Sequence, residues 1–112
     1  MIDWTRVAEL KSEIGEDGLA EVVELFIDEM QEVVARLRPG ADPTALEADL
    51  HFLKGGAWNL GFDRFGDICS DGEKRAGSGR SGEVDIPALV DCYEASKVEF
   101  IRGLAAHLSS AA

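Results

Sequence analysis

The sequence predicts an all-α domain: an antiparallel four-helix bundle with a short extra helix at its N-terminal end. Three observations carry that reading. Apolar residues recur at spacings of three and four nearly throughout, and no stretch alternates as a half-buried strand would. Helix-start and helix-stop residues divide the chain into segments of helical length joined by links of a few residues. At 112 residues, 46% of them hydrophobic and 29% charged, the chain has the length of one ordinary domain, and folding would bury about two-thirds of its unfolded surface. No internal repeat appears, so residues 1–112 are expected to form a single unit.

The short leading helix starts at Asp3, a good N-cap, and carries Trp4, Val7, Leu10 and Ile14 on one face. Gly15 and Gly18 are expected to break it. A longer helix then runs from about Leu19 to Leu37, with an apolar stripe of Leu19, Val22, Val23, Phe26, Met30, Val33, Val34 and Leu37, and it stops at Arg38-Pro39-Gly40. Asp42 before Pro43 marks the next start, because the aspartate can cap free amides and the proline ring is preset for a first turn. That helix is expected to reach about Leu60. Asp63 is the candidate cap of the following one, whose inner face would be Phe65, Ile68, Cys69 and Ala76, before a flexible Gly77–Gly82 link (GSGRSG). Asp85 would cap the last helix, with Leu89, Val90, Tyr93, Phe100, Ile101, Leu104 and Leu108 as its stripe and a frayed SSAA tail.

Charge and inventory narrow the function. Eleven basic against twenty-two acidic residues give a net charge of −11, which repels phosphate backbones and anionic headgroups, so neither nucleic acid nor a membrane is an expected partner. No stretch approaches the roughly 18 apolar residues of a membrane span. The opening residues, MIDWTRVAELKSE, mix acids and bases where a secretory signal needs an apolar run, and read as the native start of a cytoplasmic protein. Cys69 and Cys92 lie too far apart for a CxxC pair and read as core fillers. Two histidines and two dispersed cysteines give a zinc site little to work with, and there are no paired Glu-x-x-His motifs for a di-iron centre. No metal site and no cofactor are expected.

The third helical segment carries a candidate site. Its core face is Leu46, Leu50, Leu53, Ala57 and Leu60. At 100° per residue His51 stands about 140° from the centre of that stripe. The imidazole should therefore point outward from mid-helix, with Glu47, Ala48, Lys54, Gly55 and Trp58 as neighbours. Gly55 and Gly56 are costly there, about 0.8–1 kcal/mol each against alanine. At Gly55 the missing side chain would leave the imidazole open to a bulky partner, and Lys54 could meet an anion carried by His51. A histidine, a cation and a bare patch together fit a phosphate acceptor. His107, near the C-terminus, reads as an ordinary surface histidine.

The segment His51–Phe62, HFLKGGAWNLGF, closely resembles the signature of histidine phosphotransfer (HPt) domains. The pattern is a histidine, an aliphatic residue two on, lysine and glycine, small residues, and a later hydrophobic-glycine pair. Here these fall on His51, Leu53, Lys54, Gly55, Gly56, Ala57, Leu60 and Gly61. Trp58 departs from the pattern in being large at a little-constrained position. It either covers a neighbouring helix or belongs to a docking surface with Gly55, Ala48 and Glu47.

The resemblance implies a shuttle in a two-component phosphorelay, passing a phosphoryl group between response-regulator receiver aspartates by way of His51 Nε2. Lys54 would stabilise the charge spread over the transferring oxygens, and the receiver would supply the divalent metal ion. A hybrid histidine kinase is a further possible partner. Glu73, in line with an acidic residue in the chemotaxis-kinase branch of the family, is the candidate orienting group, although it is also one of twenty-two acids. The chain has no GxxxxGK[ST] loop and no room for an ATP-binding domain, so it is expected to carry phosphate rather than to act as a kinase. The alternative is a non-catalytic bundle that binds a receiver or a histidine kinase. A closed bundle of this size is most simply a monomer.

Overall fold

The computed structural model describes residues 1–109. Among these are helices α1 (Trp4–Leu37), α2 (Leu46–Leu60), α3 (Asp63–Gly77) and α4 (Ile86–Ser109), with a single 3-10 turn at Ser81–Glu83 and no strand. Helix α1 packs on α2 and α4, and α3 packs on the same two, so α2 and α4 stand across the bundle from each other. The molecule is a rod with extents of 49 × 21 × 20 Å. The side chain of Leu108 and the tail beyond Ser109 lie outside the described residues.

Asp3 caps α1, its carboxylate accepting from the Thr5 and Arg6 amides at 3.1 and 3.3 Å. The break expected near the start of this helix falls at Gly15 alone. There the backbone adopts φ 78° and ψ 171°, which a residue with a Cβ would resist, and Gly18 lies within the helix that resumes. The short leading helix and its longer successor are thus two parts of α1 either side of one glycine. Val7 and Leu10 are buried as expected, whereas Ile14, beside the break, is exposed.

All five predicted core residues of α2, Leu46, Leu50, Leu53, Ala57 and Leu60, are buried. Asp42 accepts from the Thr44 amide and hydroxyl at 3.0 and 2.8 Å and shapes the turn that leads into α2. These two bonds hold its carboxyl below the ordinary carboxylate range. The other end is set by Gly61, left-handed at φ 86°. The Phe62 amide donates back to Ala57 O at 2.7 Å, and a Cβ on Gly61 would meet Asp3 O at 2.6 Å. Helix α3 begins at once after this turn, so Asp63 is its first residue rather than its cap. Phe62 holds the cap position with its ring fully buried.

The inner face of α3 is Phe65 and Cys69, with Ile68 and Ala76 only partly buried and Gly66 and Gly72 admitting close neighbours. The link after it folds back on α3 and contains a 3-10 turn at Ser81–Glu83. Arg80 N–H donates to Arg75 O at 2.8 Å, and the Arg75 side chain ties Asp71 (2.9 Å) to Glu83 (3.3 Å). Asp85 caps α4 as expected, accepting from the Ala88 amide at 3.0 Å. Leu89, Val90, Tyr93 and Phe100 enter the core, but Ile101 points to solvent. The core is aromatic in its middle, with Phe62 against Phe100 at 5.1 Å and Phe65 against Tyr93 at 5.4 Å between ring centroids. Tyr93 donates to Gln31 Oε1 at 3.1 Å, and burial, with Glu94 nearby, pushes its phenol up to about 12. Cys69 and Cys92 are buried free thiols, and burial pushes Cys69 well above the usual thiol range.

Candidate functional site

His51 lies in the middle of α2, and its side chain is 69% exposed. Because the apolar spacing of α2 turns the leucine stripe inward, the imidazole has only the two neighbouring helices to border it. On the α3 side, His51 Nδ1 stands 2.7 Å from Glu73 Oε1. The other oxygen of that carboxylate, Oε2, lies 2.6 Å from Lys54 Nζ. Lys54, followed by His51, holds the Glu73 carboxyl below the ordinary carboxylate range, although partial burial works the other way. Glu73 is therefore ionised and accepts the proton on Nδ1. That fixes the neutral tautomer whose free lone pair is on Nε2, at the outer edge of the ring.

Trp58 continues this side. The Lys54 ammonium sits 5.8 Å from its ring centroid, and the indole lies directly over Gly66 of α3, where a Cβ would collide with it. The ring thus covers a neighbouring helix, as one of its two sequence readings has it, while remaining 44% exposed. Glu47 also leans toward α3, its carboxylate resting against Gly77. A polar depression between the two helices is lined by Glu47, Lys54, Ser70, Glu73 and Lys74.

The α1 side is apolar. A pocket of about 290 Å³ opens beside His51, walled by Phe26, Met30, Phe52 and Gly55, with Glu29 and Asn59 at its rim. A Cβ at Gly55 would touch nothing within 4 Å, so its bareness serves no packing inside the chain. Gly56 differs: a Cβ there would meet Met30 Sδ at 3.2 Å, so this glycine lets α1 approach α2. Ala48 is exposed one turn before the pocket.

The site residues singled out in the sequence therefore surround one imidazole, but they divide. Glu47, Lys54, Trp58 and Glu73 stand toward α3, and Ala48 and Gly55 toward α1. Phe26, Met30 and Phe52 had not been singled out. Phe52 carried a readable signal, an aromatic residue about 100° from His51 and off the core stripe. Phe26 and Met30 were hidden in the predicted core stripe of α1. His107 is an exposed histidine remote from the site that stacks on Trp4, with 4.1 Å between centroids. No group of three His, Cys, Asp or Glu among the described residues is arranged to hold a metal ion, and no helix among them is long and apolar enough to cross a membrane.

A protein-family model described as Hpt domain matches residues 21–99, a span that begins within α1, ends within α4 and contains His51, Lys54 and Glu73. Searches of curated proteins and of solved structures give no match.

Proposed function

Because the chain belongs to the Hpt domain family, we propose that it is a cytoplasmic histidine phosphotransfer protein of a two-component phosphorelay, carrying a phosphoryl group between receiver aspartates on His51 Nε2. The observation that carries this reading is the exposed imidazole with Nδ1 at 2.7 Å from an ionised carboxylate. It supports a nucleophile whose reactive nitrogen faces outward and whose tautomer is held from behind, the arrangement that activates histidine in other settings.

In the forward step the Nε2 lone pair attacks phosphorus of the receiver's aspartyl phosphate. The P–O bond to the aspartate breaks, and its electrons leave with the carboxylate. The ring keeps its Nδ1 proton and gains positive charge, which Glu73 offsets at hydrogen-bond distance. Lys54, one turn along α2, is the chain's own cation for the phosphoryl oxygens, while the divalent metal ion belongs to the receiver. In the reverse step a second receiver's aspartate takes the group, and the ring returns to neutral with no proton exchanged. Gly55, Ala48, Trp58 and Glu47 form the rim on which the receiver would sit. A hybrid histidine kinase would present the same chemistry through its own receiver domain.

The test is transfer of label from a phosphorylated receiver to the full chain. The expected product is labelled on His51 and is acid-labile and base-stable. Label on another residue overturns the assignment of His51. Stable receiver binding with no transfer would establish the non-catalytic interaction module instead.

A further inference from the structure

Helix α4 buries one face and leaves a second apolar face uncovered. With Val98 set at zero and 100° per residue, the buried Leu89, Tyr93, Ser96 and Phe100 fall within about 40° of the opposite side. The outward side carries Ala95, Val98, Ile101 and Ala105, all exposed. Val98 and Ile101 are 47% and 51% exposed, so large apolar surface is left in water on the helix face pointing away from the core.

The charges on this face are arranged in order. Asp91 and Glu94 stand on its N-terminal half, the apolar residues in the middle, and Arg102 on its C-terminal half. Glu94 is already paired with Arg38 of the α1 end. With Arg38 included, the seam holds two acids and two bases in a chain that has twice as many acids as bases. It is the kind of surface on which a molecule of net charge −11 can meet another without strong repulsion.

We propose that a second copy of this chain binds here, the two α4 helices running antiparallel about a twofold axis at Val98. Antiparallel pairing sets Val98 on its own copy and Ala95 near the partner's Ile101. It brings each Arg102 against the acidic half formed by the partner's Asp91 and the partner's Glu94. A parallel pair would set Arg102 on Arg102. Self-complementarity of this kind is what an isologous interface requires of a single patch. Lys97, whose Nζ donates to Gln31 Oε1 at 3.2 Å, and the exposed Glu99 stand about 100° to either side, off the seam. The seam from Asp91 to Ala105 is about 21 Å long, short for a stable interface, so a weak dimer is expected. Since α4 stands across the bundle from α2, the dimer leaves both His51 rings outward and free, which replaces the expectation of a monomer with a two-site carrier.

Sedimentation velocity of the full chain, from low micromolar to several hundred micromolar, tests this. The native chain is expected to pass from monomer to dimer over that range. Val98→Asp should weaken the dimer at least about tenfold while leaving the helical circular dichroism intact, because the side chain is in water in the monomer. Arg102→Glu should also weaken it, because it sets an acid against the partner's acidic half. Arg102→Glu gives the seam three acids against Arg38, and Asp91→Arg with Glu94→Arg makes it wholly basic. Each of these chains should be monomeric alone, and the mixture should form a heterodimer. If the doubly basic chain fails to fold, Asp91→Arg alone serves in the mixture. A native chain that stays monomeric throughout, a Val98→Asp chain that dimerises as well as the native one, a tighter Arg102→Glu dimer, or a mixture that does not associate would each overturn the proposal.

Discussion

The two flanks of His51 border the same ring yet are built from different chemistry. Toward α3 stand a carboxylate, an ammonium and an indole, linked from Glu73 through Lys54 to Trp58. Toward α1 stand Phe26, Met30 and Phe52 around the bare backbone of Gly55. The first flank acts on the ring itself, setting where its proton sits and what charge it can bear. The second forms an open pocket beside the ring. On the proposed function, changes at Glu73 and Lys54 should alter the rate of transfer once the receiver is bound, and changes toward α1 should alter how well it binds.

The largest effect removes what the flanks share. His51→Gln is expected to abolish transfer while circular dichroism and the melting temperature stay near native, because the residue lies off the core and glutamine is a good helix former. Native labelling of that chain would end the comparison. Next comes Glu73→Ala, expected to slow single-turnover transfer by about 10- to 100-fold, as loss of an orienting partner does at other histidine sites. Its effect should fall on the rate at saturating receiver, and an equal effect on binding alone would show that Glu73 is a docking residue.

The same carboxyl gives a pH signature. Its folded value is held below the ordinary 4.5, mainly by Lys54, so it contributes stability above that value and loses it as pH falls through the folded one. Between neutral pH and about pH 3 the native chain should therefore lose more melting temperature than the Glu73→Ala chain. Parallel curves would mean that the His51–Glu73–Lys54 cluster adds nothing to stability.

Lys54→Ala should slow transfer by about tenfold, less than loss of Glu73, since the receiver's metal ion shares the neutralising role. On the other flank, Phe52→Asp should raise the receiver's KM roughly tenfold with little change in the saturated rate. A fall in the saturated rate instead would erase the distinction between the flanks. The smallest effect is at Gly55. Replacement by glutamine should raise helix stability by up to about 1 kcal/mol, because nothing opposes a side chain there, yet weaken receiver binding by occupying the open patch.

Much of this was legible before any coordinates. The leucine spacing of α2 told which way His51 faces, because a helix with one buried stripe leaves little choice about the opposite side. The division into flanks was not legible, since it depends on which helix stands at each shoulder of α2. Glu73 lies 22 residues from His51 in the chain, and only the packing of α3 on α2 brings them together. Three glycines that look alike in sequence do three things. Gly55 is open, Gly56 admits Met30, and Gly66 lies under Trp58, and only the neighbouring helix tells them apart. Asp63 was misplaced as a cap because the left-handed turn at Gly61 leaves only Gly61 and Phe62 between the two helices, and Phe62 takes the cap position. Ile101 was placed in the α4 stripe, but it directly follows the buried Phe100, and a step of 100° carries it to the outward side.

The turn at Gly61 also bears on the order in which the molecule assembles. Its bonds are of two kinds: Phe62 N–H to Ala57 O closes within a few residues, whereas Asp3 N–H to Gly61 O, at 2.7 Å, joins positions far apart in the chain. Local closures are fast, and long loops cost more entropy before any contact repays them. The α2–α3 hairpin is therefore expected to form early and the docking of the N-terminal segment late. Amide exchange in the native state should follow the same gradient, with Asp3 opening more readily than Phe62. His51 and Glu73 both belong to that hairpin, so on this order the two are expected to meet before the N-terminal segment docks.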